Sequence, residues 1–100
     1  FGVDVVTKQD EMVKSTLEGT VVFTGFSAKD GYVIQIQHSN NLTSIYKHNA
    51  EILKKTGDRI KSGEAISVVG NTGELSKGPH LHFELWYNGI PINPQDCISF

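Results

Sequence analysis

Apolar and polar residues alternate in short stretches along this chain, and glycines mark the breaks between them. Gly19, Gly25, Gly31, Gly57, Gly63, Gly70, Gly73, Gly78 and Gly89 separate runs rich in Val, Ile, Tyr and Phe. Many short strands divided by turn signals predict an all-β architecture: an antiparallel β-sandwich of short strands with at most one short helix. Strands are expected near residues 19–23, 32–37, 43–46, 65–69 and 81–87. In the second of these, Tyr32, Ile34 and Ile36 share one face and Val33, Gln35 and Gln37 the other, because strand side chains alternate with a period of two.

The connections carry their own signals. Ser39-Asn40-Asn41 reads as the turn of an antiparallel hairpin, since Asn tolerates the left-handed backbone conformation. Asn88-Gly89 is a strong tight-turn signal. Pro91 and Pro94 predict an extended, irregular tail. The one helical candidate runs over residues 49–56, with Asn49 as its N-cap, Ile52 and Leu53 as a small apolar face, and Gly57 to end it.

Composition adds limits. One hundred residues, 38% hydrophobic and 20% charged, suit a single soluble-type domain. The whole chain, 1–100, reads as that domain, cut at its N-terminal edge. Nine basic and eleven acidic residues give a net charge of −2 with no dense Lys/Arg run, which argues against nucleic acid as a partner. The single cysteine, Cys97, excludes an intrachain disulfide and a cysteine-based zinc cluster, and reads as a small hydrophobe near the domain edge. No apolar run approaches the ~18–20 residues of a membrane-spanning helix, and no signal peptide is visible. The start at Phe1, in mid-pattern and without an initiator Met, suggests a processed product or fragment, so that any membrane anchor or coiled coil would lie upstream.

The chemistry concentrates in His80-Leu81-His82-Phe83-Glu84-Leu85-Trp86. On a strand, Leu81, Phe83 and Leu85 point into a core while His80, His82, Glu84 and Trp86 face the other way. Two imidazoles two residues apart stand roughly 6–7 Å from one another along the strand. That spacing lets one hold a metal while the other faces a metal-bound water. His48 is placed at the end of a strand, where functional residues often project, and shares a strand face with Tyr46. Asp4 is the only carboxylate in an apolar opening, Phe1 to Val6, and with the histidines becomes a hard-oxygen ligand candidate.

Together these segments resemble the lysostaphin-like (LytM-type) zinc metallopeptidases over nearly the whole chain. The stretch from His38 to Tyr46-Lys47-His48 is similar to the family's segment ending in Tyr-x-His. Gly57-Asp58-Arg59-Ile60-Lys61-Ser62-Gly63-Glu64-Ala65-Ile66 is similar to its Gly-[Asp/Gln]-x-[Val/Ile]-x-x-Gly-x-x-[Ile/Leu] segment. Gly70-Asn71-Thr72-Gly73, then Gly78-Pro79-His80-Leu81-His82-Phe83-Glu84, looks like its signature turn and His-x-His strand, and Asn88-Gly89 with Asn93-Pro94 matches its usual ending.

The resemblance implies a zinc endopeptidase acting on peptidoglycan peptides outside the cytoplasmic membrane, built on a duplicated-hybrid-like β fold. Asp4 and His82 fit metal ligands, and His48 and His80 fit the catalytic pair. Tyr46 becomes a substrate-binding candidate, and Trp86 and Tyr87 either line a substrate groove or pack at the sheet edge. His38 aligns with a histidine outside the metal and catalytic set and reads as a polar residue at a strand end. The family's first ligand, a His, would fall one position before Phe1, so these residues alone should hold zinc weakly. In the intact site the metal lowers the pKa of a bound water to about 7, and either His80 or His48 takes its proton. A hydrogen-bond acceptor on a ligand's second ring nitrogen is expected, with no residue assigned; Glu84 reads as a structural polar contact. Asn49 departs from the Leu or Met that often follows the catalytic His. Two other readings compete. One is a degenerate, metal-free domain acting as scaffold or activator of wall hydrolases. The other is a biotinyl-lipoyl-like carrier, which leaves His80-Leu81-His82 unexplained.

Overall fold

The computed structural model describes residues 3–6, 12–15, 17–70 and 80–93, with side chains from Met12 onward apart from His80. Among them run nine strands and no helix: β1 (Val3–Val6), β2 (Met12–Lys14), β3 (Gly19–Ser27), β4 (Gly31–Gln37), β5 (Leu42–Ile52), β6 (Arg59–Ile60), β7 (Ala65–Val69), β8 (His80–Tyr87) and β9 (Ile90–Ile92). Every pairing is antiparallel. The strands form one sheet in the order β1-β8-β5-β4-β3-β6, with β7 bridging β2 and β5, and β9 outside β8.

The all-β class expected from the sequence is the one found, as a curled sheet. The curl has a local cause. Residues Leu42 to Lys47 of β5 pair with β8, whereas Asn49 to Ile52 pair with β7. Between these halves His48 has φ 66°, a left-handed conformation uncommon outside glycine. The strand therefore turns a corner at His48 and hands its edge from one neighbour to another.

This corner overturns the helix expected over 49–56. Asn49 continues the strand, and its amide works inside the fold instead of capping a helix. It is fully buried, donates to the carbonyls of Tyr32 and Tyr46 (both 3.0 Å), and accepts from the Ser67 hydroxyl at 2.8 Å. Pairing with β4 and β7 satisfies the backbone that a short helix would have left with unpaired ends.

The predicted alternation places the core. Phe83 and Leu85 of β8 are buried against Ile34 and Ile36 of β4, Tyr46 of β5, and Ile66 and Val69 of β7, with Leu81 packed at the margin. Burying each such large side chain contributes about 1.5–3 kcal/mol. Tyr32 departs from its face-mates Ile34 and Ile36: at the strand end it is 40% exposed and lies against Phe26, ring centroids 4.8 Å apart.

The turns hold where they were expected. Asn40 and Asn41 both have φ 60°, and Asn88 and Gly89 have φ 53° and 76°, two left-handed residues in succession as a two-residue hairpin loop demands. The segment after that loop is more regular than its prolines suggested. Ile90–Ile92 pairs with β8, and Pro91 is tolerated because among the described residues β9 is an edge strand. Cys97, Pro94 and the signature turn at 71–79 lie outside the described residues.

Candidate functional site

Three adjacent strands carry the sequence-identified residues. In the β1–β8 ladder Asp4 lies directly opposite His82, and Val6 opposite His80. On the other edge of β8, Lys47 of β5 lies opposite His82, so His48 is the next residue along. The register thus brings Asp4, His82 and His48 together from the beginning, end and middle of the chain. The side chains of Asp4 and His80 lie outside the described set.

Those of His48 and His82 meet. Their rings are 6.2 Å apart between centroids and inclined at 76°, an edge-to-face contact. His48 is buried at 8% exposure, and its N–H donates to the Asp30 carbonyl at 2.8 Å. That bond, together with buried Asn49, holds the left-handed corner from which the ring projects. Among the described residues no three His, Cys, Asp or Glu side chains gather as a metal site.

Glu84 organises the polar face of β8. Its Oε2 is 2.9 Å from His82 Nε2 and 3.0 Å from Lys47 Nζ, and its Oε1 accepts from the Trp86 indole N–H at 3.0 Å. Lys47 also reaches the Asp30 carboxylate at 3.7 Å. Burial pushes the Glu84 carboxyl up, but hydrogen bonds from Lys47, Trp86 and His82 outweigh it and hold the group below the ordinary carboxylate value. Glu84 is therefore a carboxylate near neutrality, with acceptors only, so His82 Nε2 carries the proton in this contact. The sequence placed Glu84 on the right face but did not identify its partners. Lys47 is opposite His82 only once the β5–β8 register is known.

A groove of about 320 Å³ continues from this cluster along the same face, lined by Phe23, Phe26, Asp30, Val33, Gln35, Ile45, Lys47, Glu84 and Trp86. Trp86 thus lines a groove next to His82, while Tyr87 is 48% exposed and lines a different hollow with Leu42 and Ile92. Tyr46 does not reach this surface. It is 2% exposed in the core, with its ring 5.1 Å from that of Phe83, because residues of β5 alternate and Ile45 and Lys47 take the groove side. His38 is buried. Its Nδ1 donates to the Glu18 carbonyl at 2.6 Å, which leaves Nε2 to accept from the Ser44 hydroxyl at 2.7 Å. It pins β4 to the loop before β3, away from the histidine pair.

Comparison with known proteins places this arrangement. Residues 1–94 match Peptidase family M23, and the chain belongs to that family. The DD-carboxypeptidase/endopeptidase Mpg of Neisseria meningitidis is 36% identical over 93 residues, covering 93% of this chain and 21% of Mpg. The murein hydrolase activator NlpD of Salmonella dublin is 33% identical, covering 93% of this chain and 24% of NlpD. A zinc-containing peptidase from Vibrio cholerae superposes with a TM-score of 0.87 at 35% identity, covering 91% of this chain and 28% of that one. The catalytic domain of lysostaphin from Staphylococcus simulans gives a TM-score of 0.87 at 29% identity, covering 96% and 76%. The lysostaphin-like resemblance read from the sequence is thus the family found. The chain spans about a fifth to a quarter of the length of these curated relatives.

Proposed function

We propose that this chain is the catalytic β-domain of a zinc-dependent endopeptidase that hydrolyses peptide bonds in peptidoglycan stem peptides or cross-links, in the cell envelope outside the cytoplasmic membrane. The observation that carries this reading is the convergence of Asp4, His82 and His48 on neighbouring strands, with the His48 and His82 rings in edge contact. The donor set fits zinc: imidazole and carboxylate ligands, with a carboxylate behind one imidazole, are what such a site uses. Asp4 and His82 are the residues of this chain that would hold the ion. When bound, zinc activates water and polarises the scissile carbonyl.

The chain's own residues would supply the rest. His48 and His80 are the candidates to take the proton from the attacking water and to donate hydrogen bonds to the developing oxyanion. The groove beside Trp86 and Phe26 would receive the peptide, its aromatic walls excluding water from one side. Burial of Tyr46 removes it from the proposed substrate contacts.

A second reading, activation of other wall hydrolases, has support in the likeness to NlpD. The presence of Asp4, His48, His80 and His82 together favours the enzyme, since a scaffold has no need of them. Digestion of purified wall peptides by the intact protein and its His82→Ala variant, each assayed for bound zinc, decides between them. Loss of zinc and of digestion in the variant is expected; equal digestion by both proteins would sink the proposal.

A further inference from the structure

We propose that Glu84 is the positioning residue of His82, taking the Nε2 proton so that Nδ1 carries the lone pair offered to the metal, with Lys47 and Trp86 fixing the carboxylate. This rests on the reading of His82 as a zinc ligand. The geometry is specific. One carboxylate oxygen, Oε2, faces both His82 Nε2 (2.9 Å) and Lys47 Nζ (3.0 Å), while the other, Oε1, is held by the Trp86 indole (3.0 Å). With both oxygens held from fixed positions the carboxylate cannot rotate away, and an acceptor-only group leaves the neutral imidazole a single compatible tautomer.

The contact extends further. Lys47 reaches the Asp30 carboxylate, and the Asp30 backbone carbonyl accepts from the His48 N–H. The turn between β3 and β4 therefore holds His48 through its backbone and His82 through Lys47 and Glu84. One short segment sets the placement of both imidazoles. A ligand held in a fixed tautomer and ring orientation binds metal more tightly than one that must be oriented on binding, by about 10–100-fold.

The test uses the intact protein. In metal-free wild type above about pH 8, where imidazole is neutral, nitrogen-15 NMR of the histidine rings should give the Nε2–H tautomer for His82; Glu84→Ala should give a mixture of tautomers. Chelator competition with zinc alone should weaken by about 10–100-fold in Glu84→Ala, with far-ultraviolet dichroism unchanged, and by less in Lys47→Met. An Nδ1–H tautomer in wild type, or unchanged zinc affinity in a folded Glu84→Ala protein, would overturn the role of Glu84. If Glu84→Ala does not fold, the wild-type tautomer still decides. Wild type that binds no zinc would instead refute the metal reading, while the tautomer measurement stands on its own.

Discussion

The imidazoles of His48 and His82 touch edge to face with centroids 6.2 Å apart, although their strands diverge immediately beyond them: β5 leaves β8 after Lys47. Under the proposed reading the two rings have different duties, His82 on the metal and His48 on the attacking water. His48→Ala should therefore retain zinc and lose wall-peptide hydrolysis by about 10²–10⁴-fold, the range for removing a general acid–base group. Metal content measured beside the rate checks this. A variant that loses its zinc as well would make His48 a ligand instead.

Asn49 tests what holds the corner. Replacing it with Leu, the residue often found at this point in the family, should destabilise this chain. The change leaves the Ser67 hydroxyl and the carbonyls of Tyr32 and Tyr46 without the amide that now serves them. A loss of about 1–3 kcal/mol is expected from buried groups left unsatisfied, read as a lowered urea midpoint. An unchanged midpoint would mean that the neighbours repack around leucine at no cost.

Gly70 is a steric test on the opposite side of the corner. A Cβ there would sit 2.5 Å from the Ala50 Cβ and 2.6 Å from its backbone nitrogen. Backbone cannot swing aside as a flexible side chain would. Gly70→Ala should cost about 1–3 kcal/mol, as for overpacking, and thermal unfolding will reveal it.

Acid sensitivity has one clear contributor away from the site. Glu64 pairs with Lys54 at 2.5 Å and accepts from the Lys61 N–H at 2.9 Å. The Lys54 hydrogen bond first, then that of Lys61, hold its carboxyl below the ordinary 4.5. With the folded pKa depressed, the unfolded chain binds more protons in this range. The stabilisation is present above the unfolded value and disappears as pH falls through the folded one. Glu64→Gln should be slightly less stable than wild type at neutral pH, and the two should converge as pH drops below the folded value. Parallel urea curves across the acid range, with a constant gap, would contradict this.

Much of the fold was legible in the sequence because it rests on local rules. Leu81, Phe83 and Leu85 alternate as a core face must, and Asn88-Gly89 dictates a tight hairpin whatever surrounds it. The strands β1, β2, β6 and β9 were not foreseen. They are two to four residues long, too short for alternation to register, and they exist because an edge was available to pair with. Asn49 misled for a related reason. Its side chain suits a helix cap and a buried network equally well, and the choice is made by β4 and β7, distant in sequence. At the site, the family resemblance, carried by spacing along the whole chain, pointed to Asp4, His48, His80 and His82, whereas the links through Lys47, Asp30 and Glu84 depend on register. Alternation put Tyr46 on one strand face with His48, whereas the corner at His48 breaks that parity and Tyr46 is buried in the core.

The ladder that sets Val3 against Phe83 closes a loop of nearly the entire chain. Closing so long a loop is entropically costly and tends to come late in folding. Asp4 and His82 face each other only after that step, so the proposed cutting centre cannot exist in a partly folded intermediate. The proposed site would thus be among the last parts of the sheet to form.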